Sequence, residues 1–302
     1  MLVRGWTRLA VVAVLAGVVG LTTASGGAGR SAMHIYWAND GNPQESSTTL
    51  GRANLDGSGK RLTFIRNGGG QPCFVAVGDN HLYWGEEVGS AIGRANLDGS
   101  GVNAKFIRVA NVGAAACGIA LDGNHIYWAS EDRDVIGRAN LDGTQVKQAF
   151  IKVGSGNLFD ATRPCGLAIA GGYIYWAGVG DNTIGRARLN GTGVDKRFIT
   201  GANGPCGVAV SGSYIYWTNA DFSAGGTTIG RARLNGSGVD QRFVTGASAP
   251  CGVAVSGPYI YWANHGSYAR RGTTIGRAKL DGTDVDQRFI TGAYGPCGVA
   301  VG

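Results

Sequence analysis

The stretch GANGPCGVAVSGSYIYW, residues 201–217, decides the fold, because versions of it recur six times and the rest of the chain hangs between the copies. The copies share Cys73, Cys117, Cys165, Cys206, Cys251 and Cys297. After each of the first five a Trp follows eleven residues on, at Trp84, Trp128, Trp176, Trp217 and Trp262. Trp37 stands in the same surroundings with no Cys before it, and Cys297 has no Trp after it. The chain reads as a ring cut open.

Working outward, each copy holds four segments suited to strands. In the copy that starts at Pro205 these are PCGVAV (205–210, strand a), YIYW (214–217, strand b), TIGRARL (228–234, strand c) and QRFVT (241–245, strand d). Runs rich in β-branched and aromatic residues, parted by Gly, Asn and Asp, are strands joined by tight turns. An Asp-Gly or Asn-Gly pair at Asp56, Asp98, Asp142, Asn190, Asn235 and Asp281 supplies residues that tolerate positive φ in a hairpin. The Trp-to-Trp steps are 47, 44, 48, 41 and 45 residues, too long for leucine-rich repeats and without the helical patterning of ankyrin or armadillo units. The pattern therefore predicts an all-β protein, a six-bladed β-propeller of four-stranded blades over residues 33–302. The propeller begins at a strand b (34–38) and ends at a strand a (296–301). The C-terminal strand is expected to complete the N-terminal blade and leave no open edge.

Ahead of the repeats, Arg4 and Arg8 precede an apolar or Gly run over residues 9–21, followed by Thr22-Thr23-Ala24. This pattern predicts a secretory signal peptide over residues 1–24 and a short flexible N-terminus over 25–32. The run falls short of the ~20 residues a membrane-spanning helix needs, and no second hydrophobic span follows. The mature protein is expected to be secreted or extracytoplasmic, without a transmembrane segment. The chain's formal charge of +7 becomes +5 when Arg4 and Arg8 leave, and charged residues are only 16% of the chain. That is no nucleic-acid footprint.

The succession P-x-G-[VIL]-A-[VIL], I-Y-W and I-G-R-A-x-L-[DN]-G resembles the YWTD, or class B, repeat of the low-density lipoprotein receptor family, a six-bladed propeller, across residues 33–301. The resemblance implies a rigid extracellular binding platform. The YWTD aspartate is replaced, in blade order, by Asn39, Glu86, Ser130, Gly178, Asn219 and Asn264, so the family's Asp contacts between blades do not carry over. No EGF-like module flanks the repeats, and receptor function is not implied.

Six cysteines in an exported chain invite a disulfide framework with fifteen possible pairings. Alternation along strand a, however, places Cys206 on the side of Val208 and Val210, facing the neighbouring blade. Packed sheets lie ~10 Å apart, whereas a disulfide needs Cα atoms within ~7 Å. Buried, unpaired thiols are the expectation, with disulfides and a metal or redox role as alternatives; the absence of a CxxC weighs against metal. Arg52, Arg94, Arg138, Arg186, Arg231 and Arg277 share one register of strand c. Present in every blade, they are expected to pack on aromatic faces or carbonyls as part of the architecture. His34, His81 and His125 occupy the position of Tyr173, Tyr214 and Tyr259 and read as structural. Gly57-Ser58-Gly59-Lys60 sits at a hairpin turn and does not make a phosphate loop.

Counting places the binding face. The Cys-to-Trp interval across the a–b turn is constant, and so is the interval of thirteen from the strand-c Gly to the strand-d Phe. Both turns lie on one face of the disc. From Trp to strand-c Gly the distance is nine residues in blades two, three and four, but fourteen, thirteen and fourteen in blades one, five and six. The long b–c loops carry Gln44 and Glu45, then Asp221 and Phe222, then His265, Tyr268, Arg270 and Arg271. The lengthened d–a connection of residues 154–163 adds Phe159 and Arg163. Insertions gathered on one face of a repeat array mark a binding side. The sequence thus points to a non-catalytic binding or scaffold propeller, expected monomeric, that takes an extracellular protein or glycan on this face, with no metal and no cofactor. The alternative is a metal-dependent enzyme of lactonase or lyase type with its site at the channel mouth. Such a site calls for acids, Asn or His converging there, and the strand-a starts, Pro-Cys-Gly or Ala-Cys-Gly, do not supply them.

Overall fold

The computed structural model describes residues 33–40, 49–66, 70–78, 80–109, 115–155, 161–267 and 270–302. The expected signal peptide and short N-terminus lie outside these. The described chain forms six four-stranded antiparallel sheets in a ring, and its one helical element is a 3-10 turn at Glu131–Arg133. In blade five the strands are Pro205–Ser211, Tyr214–Asn219, Thr228–Arg233 and Asp240–Thr245, within two residues of the expected bounds. The C-terminal strand Pro296–Val301 pairs antiparallel with His34–Asn39, so blade one is built from both ends of the propeller and the ring closes.

The sequence motif explains the packing. In every blade the strand-b Trp lies directly across from the strand-c Gly, as Trp217 does from Gly230. A Cβ at Gly51, Gly93, Gly137, Gly185, Gly230 or Gly276 would penetrate the indole ring, so I-G-R-A is the complement of I-Y-W. The six Trp are fully buried. Each packs between its own blade and the one before: Tyr83, Ile92 and Ile107 of blade two meet Ile126 and Trp128 of blade three, and Tyr261, Ile275 and Ile290 of blade six meet Ile35 and Trp37 of blade one. The core is therefore a set of similar layers between neighbouring blades.

The arginine ring takes the architectural role expected of it. The guanidinium carbons of Arg52, Arg94, Arg138, Arg186, Arg231 and Arg277 lie 3.9–4.3 Å from the centroids of the strand-d Phe rings. His34, His81 and His125 meet the strand-b Tyr in tilted or edge-on contacts, as Tyr173, Tyr214 and Tyr259 do.

At the position of the YWTD aspartate three blades share one hydrogen-bond arrangement. Asn39, Asn219 and Asn264 each accept a backbone N–H from the incoming d–a connection, at Tyr294, Asn203 and Ser248, and donate to a strand-c Thr hydroxyl. The amide accepts that N–H through its oxygen and donates to the Thr through its nitrogen, a pair of roles that an ionised carboxylate cannot fill. Where the register holds Ser130 and Gly178 the indole N–H of Trp128 and Trp176 has no partner.

Candidate functional site at the mouth of the axial channel

Strand a is the innermost strand of each blade, and two features of its sequence shape the axis. A bulge interrupts its pairing with strand b at the Cys-Gly step, between Pro205 and Val208 in blade five and at the equivalent place in blades two, four and six. The Gly after the Cys lets neighbouring inner strands come close. A Cβ on Gly166, Gly252 or Gly298 would sit 2.6–2.7 Å from the carbonyl oxygen of the next blade's Cys. The expectation that the thiols face the neighbouring blade beside the valines is therefore wrong. The bulge breaks the alternation and turns the Cys inward, and the ~10 Å spacing of stacked sheets does not apply where blades converge. All six cysteines are buried and form one cluster on the axis. Cys73 and Cys117 are joined by a disulfide, with Cα atoms 5.3 Å apart, which also corrects the expectation of thiols that are all unpaired.

Above this sulfur floor is a cavity of about 520 Å³. Its walls are the starts of strand a and residues of the b–c and d–a connections, with no contribution from the a–b or c–d turns among the described residues. One register supplies its ring, the third residue after each strand-b Trp: Asp40, Glu87, Glu131, Val179, Ala220 and His265 in blades one to six. In four blades the backbone N–H of this residue donates to the carbonyl just before strand a, from Asp40 to Gly295, Glu87 to Gln71, Val179 to Arg163 and Ala220 to Gly204, at 2.8–3.2 Å. That bond holds the side chain at the rim of the innermost strand.

The ring is two-sided. Blades six, one, two and three present His265, Asp40, Glu87 and Glu131, whereas blade four presents Val179, with Phe222 beside it, and Ala220 of blade five is buried behind them against the sulfurs. A convergent acid and His cluster thus stands where the strand-a starts alone suggested none. The signal was in the sequence one residue beyond the YWTD position that the resemblance draws attention to.

Each polar member has a defined setting. His265 is buried because blade six carries strands b and c onward as a hairpin, Tyr259–Ser267 paired with Arg270–Lys279, where a loose loop was expected. A register shift at residues 264–266, with Gly266 at φ +79°, turns His265 toward the axis. Its Nδ1 donates to the Gly266 carbonyl at 2.9 Å, and Nε2 lies 3.3 Å from Asp40 Oδ2. Arg271 Nη1 meets both that carboxylate and the imidazole. Burial disfavours the charged imidazole, but the Asp40 carboxylate, the Cys297 side of the floor and the Gly266 carbonyl outweigh it, and the pKa of His265 is raised. Across the ring Arg163 Nη2 pairs with Glu131 Oε2 at 3.3 Å, while its backbone N–H donates to Asp134 Oδ1 at 2.7 Å. Burial pushes the Glu131 carboxyl up despite this arginine.

Among the described residues Glu87 forms no salt bridge. Its side chain is exposed to the water of the cavity, yet the surrounding cavity wall desolvates it in part. That desolvation, with Cys297, Asp40 and Glu131 nearby, pushes its pKa up to about 7. A carboxyl that exchanges its proton near neutrality can donate as well as accept.

Of the residues singled out from the sequence, Asp221, Phe222, His265, Arg271 and Arg163 all line the cavity. Phe222 meets His265 edge to face at 5.1 Å, and Asp221 accepts from Asn203 Nδ2 at 3.3 Å. Arg270 sits on the projecting hairpin, outside the lining. Gln44, Glu45, Phe159 and Tyr268 fall outside the described residues. Sequence reasoning did not single out Asp40, Glu87, Glu131 or the cysteine floor.

Fold and site together define a six-bladed β-propeller with an asymmetric axial cavity open on its variable face. No protein-family model matches the chain, and no curated protein sequence does. Its fold is shared with solved structures of low identity. One is a chain of a nidogen/laminin complex, 19% identical with a TM-score of 0.67, covering 89% of this chain and 98% of that one. Another is a catalytically inactive virginiamycin B lyase from Staphylococcus aureus with quinupristin, 16% identical with a TM-score of 0.58, covering 85% and 84%. A selenomethionine-substituted form of that lyase gives 18% identity and a TM-score of 0.59, covering 82% and 80%. At such identities the likeness is one of fold.

Proposed function

We propose that the protein is an exported binding propeller whose ligand enters the axial cavity on the b–c and d–a face. The ligand is a small polar molecule or the end of a glycan, with one flank rich in hydrogen-bond donors and one apolar flank. One observation carries this reading. The register three residues after Trp is acidic or His in four adjacent blades and Val or Ala in the other two. The ring closes equally well on either, so the packing does not demand the acids. Donors on the ligand would meet Glu87, Glu131 and Asp40, and an apolar edge would lie against Val179 and Phe222. A cavity of about 520 Å³ suits a small ligand or an inserted side chain, in the range typical of such sites.

A second reading, acid–base catalysis of the lyase type, is favoured by a specific feature. Glu87 titrates near 7, where a group serves equally as general acid and general base, and His265 is oriented by the Gly266 carbonyl and Asp40. One neighbour in fold is a lyase and another belongs to a binding complex, so the fold favours neither reading.

The test is a thermal-shift and calorimetric screen of small polar ligands and short glycans against the purified protein. Any hit should bind at least tenfold more weakly to Glu87→Gln combined with Glu131→Gln, and unchanged to Ser237→Ala on the opposite face. A hit held equally by the cavity variant would place the binding site elsewhere. Turnover of a hit, with a pH profile that shifts in Glu87→Gln, would select the second reading.

A further inference from the structure

Six sulfurs, one from each blade, meet on the axis and make the floor of the cavity. Cys73 is bonded to Cys117. Beyond that pair, Cys165 Sγ lies 3.2 Å from Cys206 Sγ, Cys251 Sγ 2.7 Å from Cys297 Sγ, and Cys73 Sγ 3.5 Å from Cys297 Sγ. These distances discriminate between two uses of a thiol cluster. Zinc holds thiolates at about 2.3 Å in a tetrahedral array, so sulfurs that share one ion are about 3.8 Å apart. The separations of 2.7 and 3.2 Å are too short for that arrangement.

We propose that Cys165 with Cys206, and Cys251 with Cys297, are disulfide partners, so that the oxidised protein carries three inter-blade disulfides around its axis. Two arguments beyond the sulfur distances support this pairing. The Cα separation of 5.3 Å between Cys73 and Cys117 shows that the Cys register on adjacent blades falls at disulfide spacing, and the other cysteines hold the same register of the same repeat. The pairing also joins blades two to three, four to five and six to one, which uses each sulfur once. The contact between Cys73 and Cys297 is longer, and both its members already have nearer partners.

The oxidant needed is a low-molecular-weight disulfide, which reaches the floor through the cavity. One cysteine thiolate attacks it, forming a mixed disulfide and expelling one thiol. The partner cysteine then attacks the protein-side sulfur, closing the inter-blade bond and expelling the second thiol. For each pair, two electrons and two S–H protons pass to the oxidant, which leaves as two thiols. Cys297, at 7% exposure the most accessible of these four cysteines, is placed to attack first. Each bond ties together two members of the ring above it: Glu87 with Glu131, Val179 with Ala220, and His265 with Asp40. The disulfides therefore fix the shape of the mouth whatever occupies it.

The test is direct. The mature protein is incubated with oxidised glutathione, denatured without reductant, alkylated, digested and mapped by mass spectrometry. The expected result is cross-linked peptides for Cys73–Cys117, Cys165–Cys206 and Cys251–Cys297, with no alkylated cysteine. Alkylation at Cys165, Cys206, Cys251 and Cys297, with or without zinc or copper found by metal analysis, would overturn the proposal. So would peptides that join Cys117 to Cys165, Cys206 to Cys251, or Cys73 to Cys297. In Cys251→Ser, Cys297 alone should lie outside a protein disulfide, either alkylated or carrying glutathione; either mark on Cys165 or Cys206 would also count against the pairing. Should that variant fail to fold, the map of the parent protein decides by itself.

Discussion

The two faces of the disc are built by the same six repeats, yet one is copied from blade to blade and the other is not. On the c–d hairpin face every blade makes the same Asx turn. The hydroxyl residue two after each Asp or Asn donates its backbone N–H to that side chain at 2.8–3.0 Å, in Ser58, Ser100, Thr144, Thr192, Ser237 and Thr283 alike. On the cavity face the equivalent positions hold His, three acids, Val and Ala, and the connections differ in length and conformation. Stability asks each blade for the same solution, because each faces the same neighbours. A ligand, unlike the ring, has no sixfold symmetry. The face where the repeat breaks is therefore where a site is to be sought.

This contrast can be broken from the regular side first. Deleting residues 296–302 removes the inner strand of blade one and opens an edge along His34–Asn39. Calorimetry should then show loss of the single cooperative transition, the largest effect expected of any change here. Next comes Gly230→Ala, which drives a methyl into the Trp217 indole and cannot be relieved by a surface movement. It should cost about 1–3 kcal/mol, read from the urea midpoint, and the equivalent Gly51→Ala should cost a similar amount if the blades are equivalent.

On the irregular side the sharpest test is pH. Glu87 has an ordinary pKa of 4.5 and a folded value of about 7. Between those values the folded chain holds a proton that the unfolded chain has released, so this group's contribution falls as pH rises through that window and then levels off. The advantage of Glu87→Gln over the parent in thermal unfolding should grow across the same interval. An advantage that shrinks there would reverse the assignment. The smallest effect belongs to Ser237→Ala, which loses one exposed hydrogen bond to Asn235 and should change stability by no more than about 0.5 kcal/mol.

The fold could be read from the chain because its determinants are local and repeated six times. I-Y-W, I-G-R-A and the Asp-Gly or Asn-Gly turns each state a packing rule that the structure meets in every blade. The site was harder to see for two physical reasons. Its ring is assembled from residues more than 40 positions apart, none of which forms a motif with its sequence neighbours. Attention to the YWTD position also stopped one residue short of Asp40, Glu87 and Glu131. Simple alternation misplaces the cysteines because a bulge interrupts strand a, and because the Gly that follows five of the six lets inner strands approach more closely than stacked sheets do. His265 was assigned to a loop because its glycine-containing hairpin lacks the β-branched run that marks the other strands.

The meeting of the propeller's two ends in blade one also sets how the molecule can be displayed. His34 and Gly302 exchange backbone hydrogen bonds of 2.8 and 3.1 Å at what is, in the other five blades, the a–b turn. Whatever is joined after Gly302 therefore starts from the regular face. A tether or support attached there would stand behind the disc, with the cavity pointing away from it toward the medium.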